Sequence, residues 1–221
     1  MARNKYPEET TNQILTVALD LFIRKGYEQT SIQDIINELG GLTKGAIYHH
    51  FKSKEEIMQA VIDHLFKGVD EMLSGVRDDK GLNGLEKLRK ISLVSLNNPA
   101  QNEVALAAPN LLRNPKLLAA QIEHIIQKAV PVYIQPIIEQ GMKDGSIRTD
   151  YPRELSEVLV ILTNLWLNPA VIEATPEIML RKLRFFDELL KSMGLDVFDE
   201  QIFQRYEELY RLSAREVSKD H

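Results

Sequence analysis

Apolar residues recur at the spacing of an α-helix along this chain, and no segment shows the apolar/polar alternation that marks a β-strand. One predicted helix contains Leu85, Leu88 and Ile91, and the run 117–143 is expected to kink or divide at Pro131 and Pro136, which lack backbone donors. The sequence therefore predicts an all-α fold. The remaining predicted helices cover residues 8–25, 32–39, 44–50, 53–75, 153–167, 177–193 and 199–217.

Cysteine is absent from the 221 residues, which excludes disulfides, thiolate metal sites and cysteine nucleophiles and fits a reducing compartment. The longest apolar run, 158–167, is shorter than the ~20 residues that a membrane helix needs. The first residues carry positive charge, but no apolar segment of a signal peptide follows them. We expect a cytoplasmic protein with no membrane partner.

Charge is shared unevenly along the chain. The formal net charge is −5, which argues against a uniformly basic surface for nucleic acid. Residues 1–54 carry seven lysines and arginines against six acidic residues, whereas residues 55–221 have a net charge of −6. The first quarter of the chain is thus the part whose charge is compatible with a nucleic-acid partner.

Residues 31–51 read as a short amphipathic helix, a glycine turn at Gly40 and Gly41, and a second short helix of small and polar residues. This is the anatomy of a helix-turn-helix, whose second helix enters the major groove of DNA. Gly45 and Ala46 would let the backbone approach the bases, and neighbouring lysines and hydroxyl groups would reach phosphates. The predicted DNA-binding residues are Ser31, Thr43, Lys44, Gly45, Ala46, Tyr48, His49, Lys52 and Lys54.

The helix predicted at 53–75 begins with the Ser-x-x-Glu spacing of a capping box, Ser53 and Glu56, and has two apolar rows. Two rows indicate contact with protein on two sides, so this helix is interpreted as a connector. The predicted domains are a helix-turn-helix unit over 1–54 and a larger helical ligand-binding and dimerisation domain over 55–221.

Helices 153–167 and 177–193 are apolar almost all round, which predicts burial on several faces. One interpretation is a four-helix interface with the same helices of a second subunit; the alternative is an internal pair of core helices. The predicted interface residues are Leu155, Leu159, Leu162, Trp166, Met179, Leu183, Phe186 and Leu190.

Other sites have weaker support in the sequence. Asn97, Tyr133, Asn164 and Trp166 are weak candidates for a ligand pocket, with core or interface packing as the alternative. Histidines 49, 50 and 64 have no converging carboxylates, so no metal site is predicted. No nucleophile-base spacing or cofactor motif is present, and no enzymatic activity or cofactor is expected. A helical carrier or enzyme acting on a small molecule remains the alternative function.

Residues 30–35 (TSIQDI) and 43–56 (TKGAIYHHFKSKEE) resemble the TetR family of transcription regulators, and the resemblance extends over residues 8–66. It implies a homodimer that binds a palindromic double-stranded operator and represses transcription until a small-molecule effector shifts the connecting helix. This sequence has one residue more than the family pattern between Asp34 and Thr43, which predicts a slightly longer turn.

Overall fold

The computed structural model describes residues 7–41, 44–97, 115–169 and 171–217, and these residues form helices and no strands. Two π-helical segments, Ile125–Ile134 and Leu162–Trp166, continue the helices that precede them. The all-α prediction is confirmed. The α-helices are α1 (Pro7–Lys25), α2 (Ile32–Leu39), α3 (Lys44–His50), α4 (Lys54–Arg77), α5 (Gly84–Leu96), α6 (Pro115–His124), α7 (Gln135–Asp144), α8 (Pro152–Ile161), α9 (Pro176–Ser192) and α10 (Glu200–Val217).

Side-chain caps explain several helix starts. The Ser53 hydroxyl accepts a hydrogen bond from the Glu56 N–H at the start of α4, as expected. The Glu56 carboxylate, however, accepts from the N–H of Lys52 rather than from Ser53, so the predicted reciprocal box is only half present. Asn83 and Glu86 form a full capping box at the start of α5.

The run 117–143 divides into α6, a π-helical segment and α7 instead of breaking at a loop. Pro131 lies inside the π-helical segment, where its missing N–H leaves the i−4 carbonyl without its usual donor. The wider turn is a recognised way to accommodate such a defect within a continuous helix. Pro136 stands at the start of α7, directly after the π-helical segment, and Gly145 ends α7 in the left-handed conformation.

Two apolar clusters form the interior. The first joins α1, α2 and α3 to the N-terminal half of α4, and includes Ile57, Met58 and Val61. The second packs the C-terminal part of α4 with α5, the two π-helical segments and the helices α7 to α10. At Gly84 an added Cβ would collide with the backbone of Gly141, so α5 and α7 are in backbone contact. Because α4 contributes to both clusters, it connects the two, as its two apolar rows predicted.

Candidate nucleic-acid interface

Helix α3 has only seven residues, so it depends on packing for its stability. Ile47 is fully buried against Ile14 of α1 and Ile35 of α2, and Phe51 closes the cluster where α3 ends. Burying one such aliphatic side chain contributes about 1.5–3 kcal/mol. These contacts fix which face of α3 points outward.

Polar contacts hold α2 at a defined angle to α1. Ser31 and Asp34 form a capping box at the start of α2, and Lys25 at the end of α1 is 2.8 Å from the Asp34 carboxylate. The Lys25 ammonium, with the Ser31 hydrogen bonds, lowers the pKa of Asp34 well below its usual value. Gly40 ends α2 at φ 61°, a conformation that glycine adopts without strain, and thereby starts the turn toward α3.

The outward face of α3 contains most of the residues that the sequence singled out. Lys44, Gly45, Tyr48 and His49 are exposed, with Tyr48 42% accessible, and Ala46 is half-buried. The Lys44 ammonium lies 5.8 Å from the centroid of the Tyr48 ring. These residues therefore form one surface, which we call the α3 face. Thr43, also predicted to bind DNA, lies outside the described residues.

Two predicted DNA-binding groups have intramolecular partners instead. The Ser31 hydroxyl is the α2 cap and also donates to Asp34. The Lys54 ammonium donates to the backbone carbonyl of Tyr27 at 2.8 Å and lies 3.4 Å from that of Glu28. Only Lys52, of the two lysines near the start of α4, is exposed. The DNA roles of all three remain predictions, but Lys54 is turned toward the α1–α2 loop.

Tyr27 contacts residues of both α4 and α6, and the sequence did not predict this role. Its hydroxyl donates to the Glu55 carboxylate at 3.0 Å, and the ammonium groups of Lys54 and Lys116 lie 4.3 and 3.7 Å from its ring centroid. Burial raises the pKa of Tyr27, so the phenol stays protonated. An apolar residue directly after the helix-ending Gly26 is the signal that could have indicated a buried position.

One further contact orients α3. The Nδ1 atom of His50, the last residue of α3, is 3.3 Å from the Thr11 hydroxyl on α1. Because His50 lies beside His49 in sequence but points toward α1, the two imidazoles have different surroundings. The two imidazole rings nevertheless contact each other edge-on, with centroids 5.5 Å apart. Across the described ranges, no three metal-ligating side chains come together.

None of the four weak ligand candidates lines either of the two main surface grooves of the described residues. Tyr133 is buried, with its hydroxyl bonded to Asp70. Asn164 donates to the carbonyl of Val160 one turn earlier. Trp166 packs edge-on against Phe185 with ring centroids 6.1 Å apart, and Asn97 caps α5 at the end of a described range. Tyr133 and Asn164 thus have structural partners, so their roles in a pocket remain predictions without geometric support.

The predicted interface helices are present, but most of the predicted interface residues face inward. Leu162 and Trp166 are half-buried, whereas Ile161, Ile178 and Phe185 are exposed, the last at 58%. Six of the predicted interface residues are buried within one subunit, and their part in a subunit interface stays a prediction. These core residues are Leu155, Leu159, Met179, Leu183, Phe186 and Leu190.

No helix within the described ranges is both long and apolar enough to cross a bilayer.

Comparison with known proteins places both parts of the chain in one family. Residues 14–61 match the family model described as bacterial regulatory proteins, tetR family, and residues 93–189 match the tetracyclin repressor-like C-terminal domain. The chain is similar to a probable HTH-type transcriptional regulator ArpR of Pseudomonas putida, with 37% identity over 41% of this chain and 42% of that protein. The matched segment thus spans less than half of that relative.

A longer match joins the chain to the HTH-type transcriptional repressor KstR2 of Rhodococcus jostii, with 26% identity over 65% of this chain and 71% of that protein. Among solved structures, reduced NemR of E. coli has a TM-score of 0.62 at 16% identity and covers 84% of this chain and 97% of its own. At that identity the likeness shows the fold alone. With both family models matched, the chain belongs to the TetR family of bacterial regulatory proteins.

Proposed function

We propose that this protein is a sequence-specific DNA-binding transcriptional regulator, a repressor that a small-molecule effector releases from its operator. The observation that carries the proposal is the α3 face: Lys44, Gly45, Tyr48 and His49 are exposed on a helix whose opposite side is anchored by the fully buried Ile47. A lysine, a phenol and a backbone without a large side chain are groups that can contact phosphates and base edges.

The same proposal includes a homodimer. A single short α3 would contact few base pairs, whereas two copies related by twofold symmetry read half-sites about 34–36 Å apart on a palindromic operator. The exposed apolar residues Ile161, Ile178 and Phe185, together with half-buried Trp166, lie on α8, α9 and the π-helical segment between them. An apolar surface on adjacent helices is suited to a symmetric contact. We propose that this outer face, rather than the buried one, meets the second subunit.

The domain division belongs to the proposal as well. The apolar core of the helix-turn-helix unit extends into α4 through Ile57, Met58 and Val61. A DNA-binding domain that ended at residue 54 would therefore lack part of its own core. We propose that the functional boundary lies within α4. Movement of α4 would then change the separation of the two α3 helices in a dimer.

The test is selection of bound fragments from the genome of the source organism by the purified protein, followed by footprinting. We expect protection of a palindrome whose half-sites are one helical turn apart, with an affinity that falls as salt rises. Binding without sequence preference, or a single unpaired half-site, would contradict the proposal.

A further inference from the structure

Two glycines, Gly68 and Gly75, lie within the connecting helix α4. Neither has a positive φ, and a Cβ added at either position would meet no atom of the described residues within 4 Å. Glycine favours the helix less than any residue except proline, because its backbone loses the most freedom on folding. Neither a turn nor a close contact with a described residue therefore accounts for a glycine at these positions.

The first of these glycines lies at the junction of the two apolar clusters. Helix α4 contributes to the first cluster as far as Leu65 and to the second from Val69 onward. Every residue from 62 to 72 is exposed or half-buried, whereas Val61 and Leu73 on either side of this stretch are buried. Because burial of an amphipathic face supplies most of the stability of a helix, the middle of α4 is the part that opens or bends at the lowest cost.

Both ends of α4 are attached more firmly. At its start, Ile57 and Val61 are buried in the first cluster. At its end, Lys87 of α5 is only 3% exposed, and its ammonium donates to the backbone carbonyl of Arg77 and to the side chain of Gln140 on α7. Movement of the helix-turn-helix unit relative to the C-terminal helices must then be taken up between the two attached ends.

Contacts with α6 and the π-helical segment after it hold the face of α4 opposite Gly68. The His124 ring stacks on Phe66 with centroids 4.1 Å apart, and its Nε2 atom lies 3.0 Å from the Asp70 carboxylate, to which Lys128 also donates. Phe66 and Asp70 are four residues apart and share a face of the helix. At about 100° per residue, Gly68 lies about 200° from each of them, on the exposed side.

We propose that α4 is not a rigid connector but bends at Gly68, so that the DNA-free protein samples a range of positions of the helix-turn-helix unit relative to the C-terminal helices. Gly68 is about 21 Å along the helix axis from the start of α4. A bend of about 10° would therefore move that end of the helix by ~4 Å. This property goes beyond the proposed function, because it belongs to the protein without DNA or any ligand.

The first test is native-state hydrogen exchange of the DNA-free full chain. In the unmodified protein, the amides of residues 66–72 should exchange at least ~10-fold faster than those of 58–61 and 74–77 in the same helix. Gly68→Ala should slow the exchange of residues 66–72 about fivefold, the preference of a helix for alanine over glycine.

Gly75→Ala is the matched control. It makes the same change in the same helix, also where a Cβ has room, but between the buried residues Leu73 and Val76. It should leave the exchange of residues 66–72 unaltered. Uniform protection along α4, or equal slowing of residues 66–72 by both variants, would overturn the proposal.

The second test measures the range of positions directly. Because the chain contains no cysteine, two introduced cysteines take spin labels at two known positions. Asn37→Cys on α2 and Lys143→Cys on α7 change exposed residues on either side of the junction. The labelled protein is diluted into unlabelled protein, so that each distance measured by pulsed electron paramagnetic resonance lies within one subunit.

We expect the distance distribution to be at least twofold narrower with Gly68→Ala, and to keep its width with Gly75→Ala. A distribution of the same width in all three proteins would overturn the bend at Gly68. Neither test uses an operator, so that result would leave the proposed regulator intact. A protein that bends as described but has no operator would refute the proposed function instead.

Discussion

Replacing Lys54 with methionine tests the assignment of this lysine to the scaffold rather than to DNA. Methionine keeps an unbranched apolar stem and removes the ammonium that bonds the Tyr27 carbonyl at 2.8 Å and lies 4.3 Å from the Tyr27 ring centroid. A hydrogen bond from a charged group contributes about 1.5–3 kcal/mol and a partly exposed cation–π contact about 0.5–1 kcal/mol. Because Lys54 is half-buried, we take the lower ends and expect a loss of about 2 kcal/mol.

The assay is unfolding by denaturant and by heat. For a chain of this length, about 2 kcal/mol corresponds to a fall in Tm of roughly 4–8 °C. Lys52→Met is the matched control, because Lys52 is exposed two residues earlier, and its stability should change by less than about 0.5 kcal/mol.

Operator binding distinguishes a lysine that contacts DNA from a lysine that stabilises the fold. Lys44→Gln should reduce the slope of log affinity against log salt by about 1.8 in a dimer, because each subunit then neutralises one phosphate fewer. Lys54→Met should leave that slope unchanged once folded protein is compared. A reduced slope in Lys54→Met together with unaltered unfolding would refute the reasoning and return Lys54 to the DNA-binding surface.

Four further outcomes follow from the geometry. Ile47→Ala should cost about 2–5 kcal/mol in unfolding free energy and abolish operator binding, because α3 loses its fully buried anchor; near-normal stability would show that α3 docks otherwise. Tyr48→Phe should weaken operator binding about fivefold and leave unfolding unchanged. Phe185→Glu should give monomers in sedimentation, whereas a stable dimer would place the interface elsewhere. The pKa of Asp70 is lowered in the folded protein, so the charged carboxylate stabilises the fold above about pH 4 and this stabilisation is lost at lower pH. Asp70→Asn should therefore lower the free energy of unfolding at pH 7. The difference from the unmodified protein should shrink as the pH falls below about 4.

The ends of the helices in the helix-turn-helix could be predicted because local chemistry sets them. Ser31 and Ser53 occupy helix-start positions with an acidic residue three places later, and Gly26 allows the chain to leave α1. The periodic apolar residues of α2 lie on one side of this short amphipathic helix, and that side packs on the core. The sequence therefore indicates which face of α2 is buried.

Side-chain direction was harder to predict wherever two partners of similar chemistry compete. Lys54 at a helix start can reach a phosphate or a nearby carbonyl, and only the position of Tyr27 decides between them. In α9, apolar residues surround the helix, so the sequence could not separate the core residue Phe186 from its exposed neighbour Phe185.

The most direct test of the central claim, that the α3 face reads DNA, is genome-wide occupancy in the source organism. The unmodified protein is compared with a variant carrying Lys44→Gln and Tyr48→Ala, with dimerisation checked by sedimentation. The account predicts discrete palindromic sites that the unmodified protein occupies and the folded, dimeric variant does not. Equal occupancy of the same sites by both proteins would contradict it.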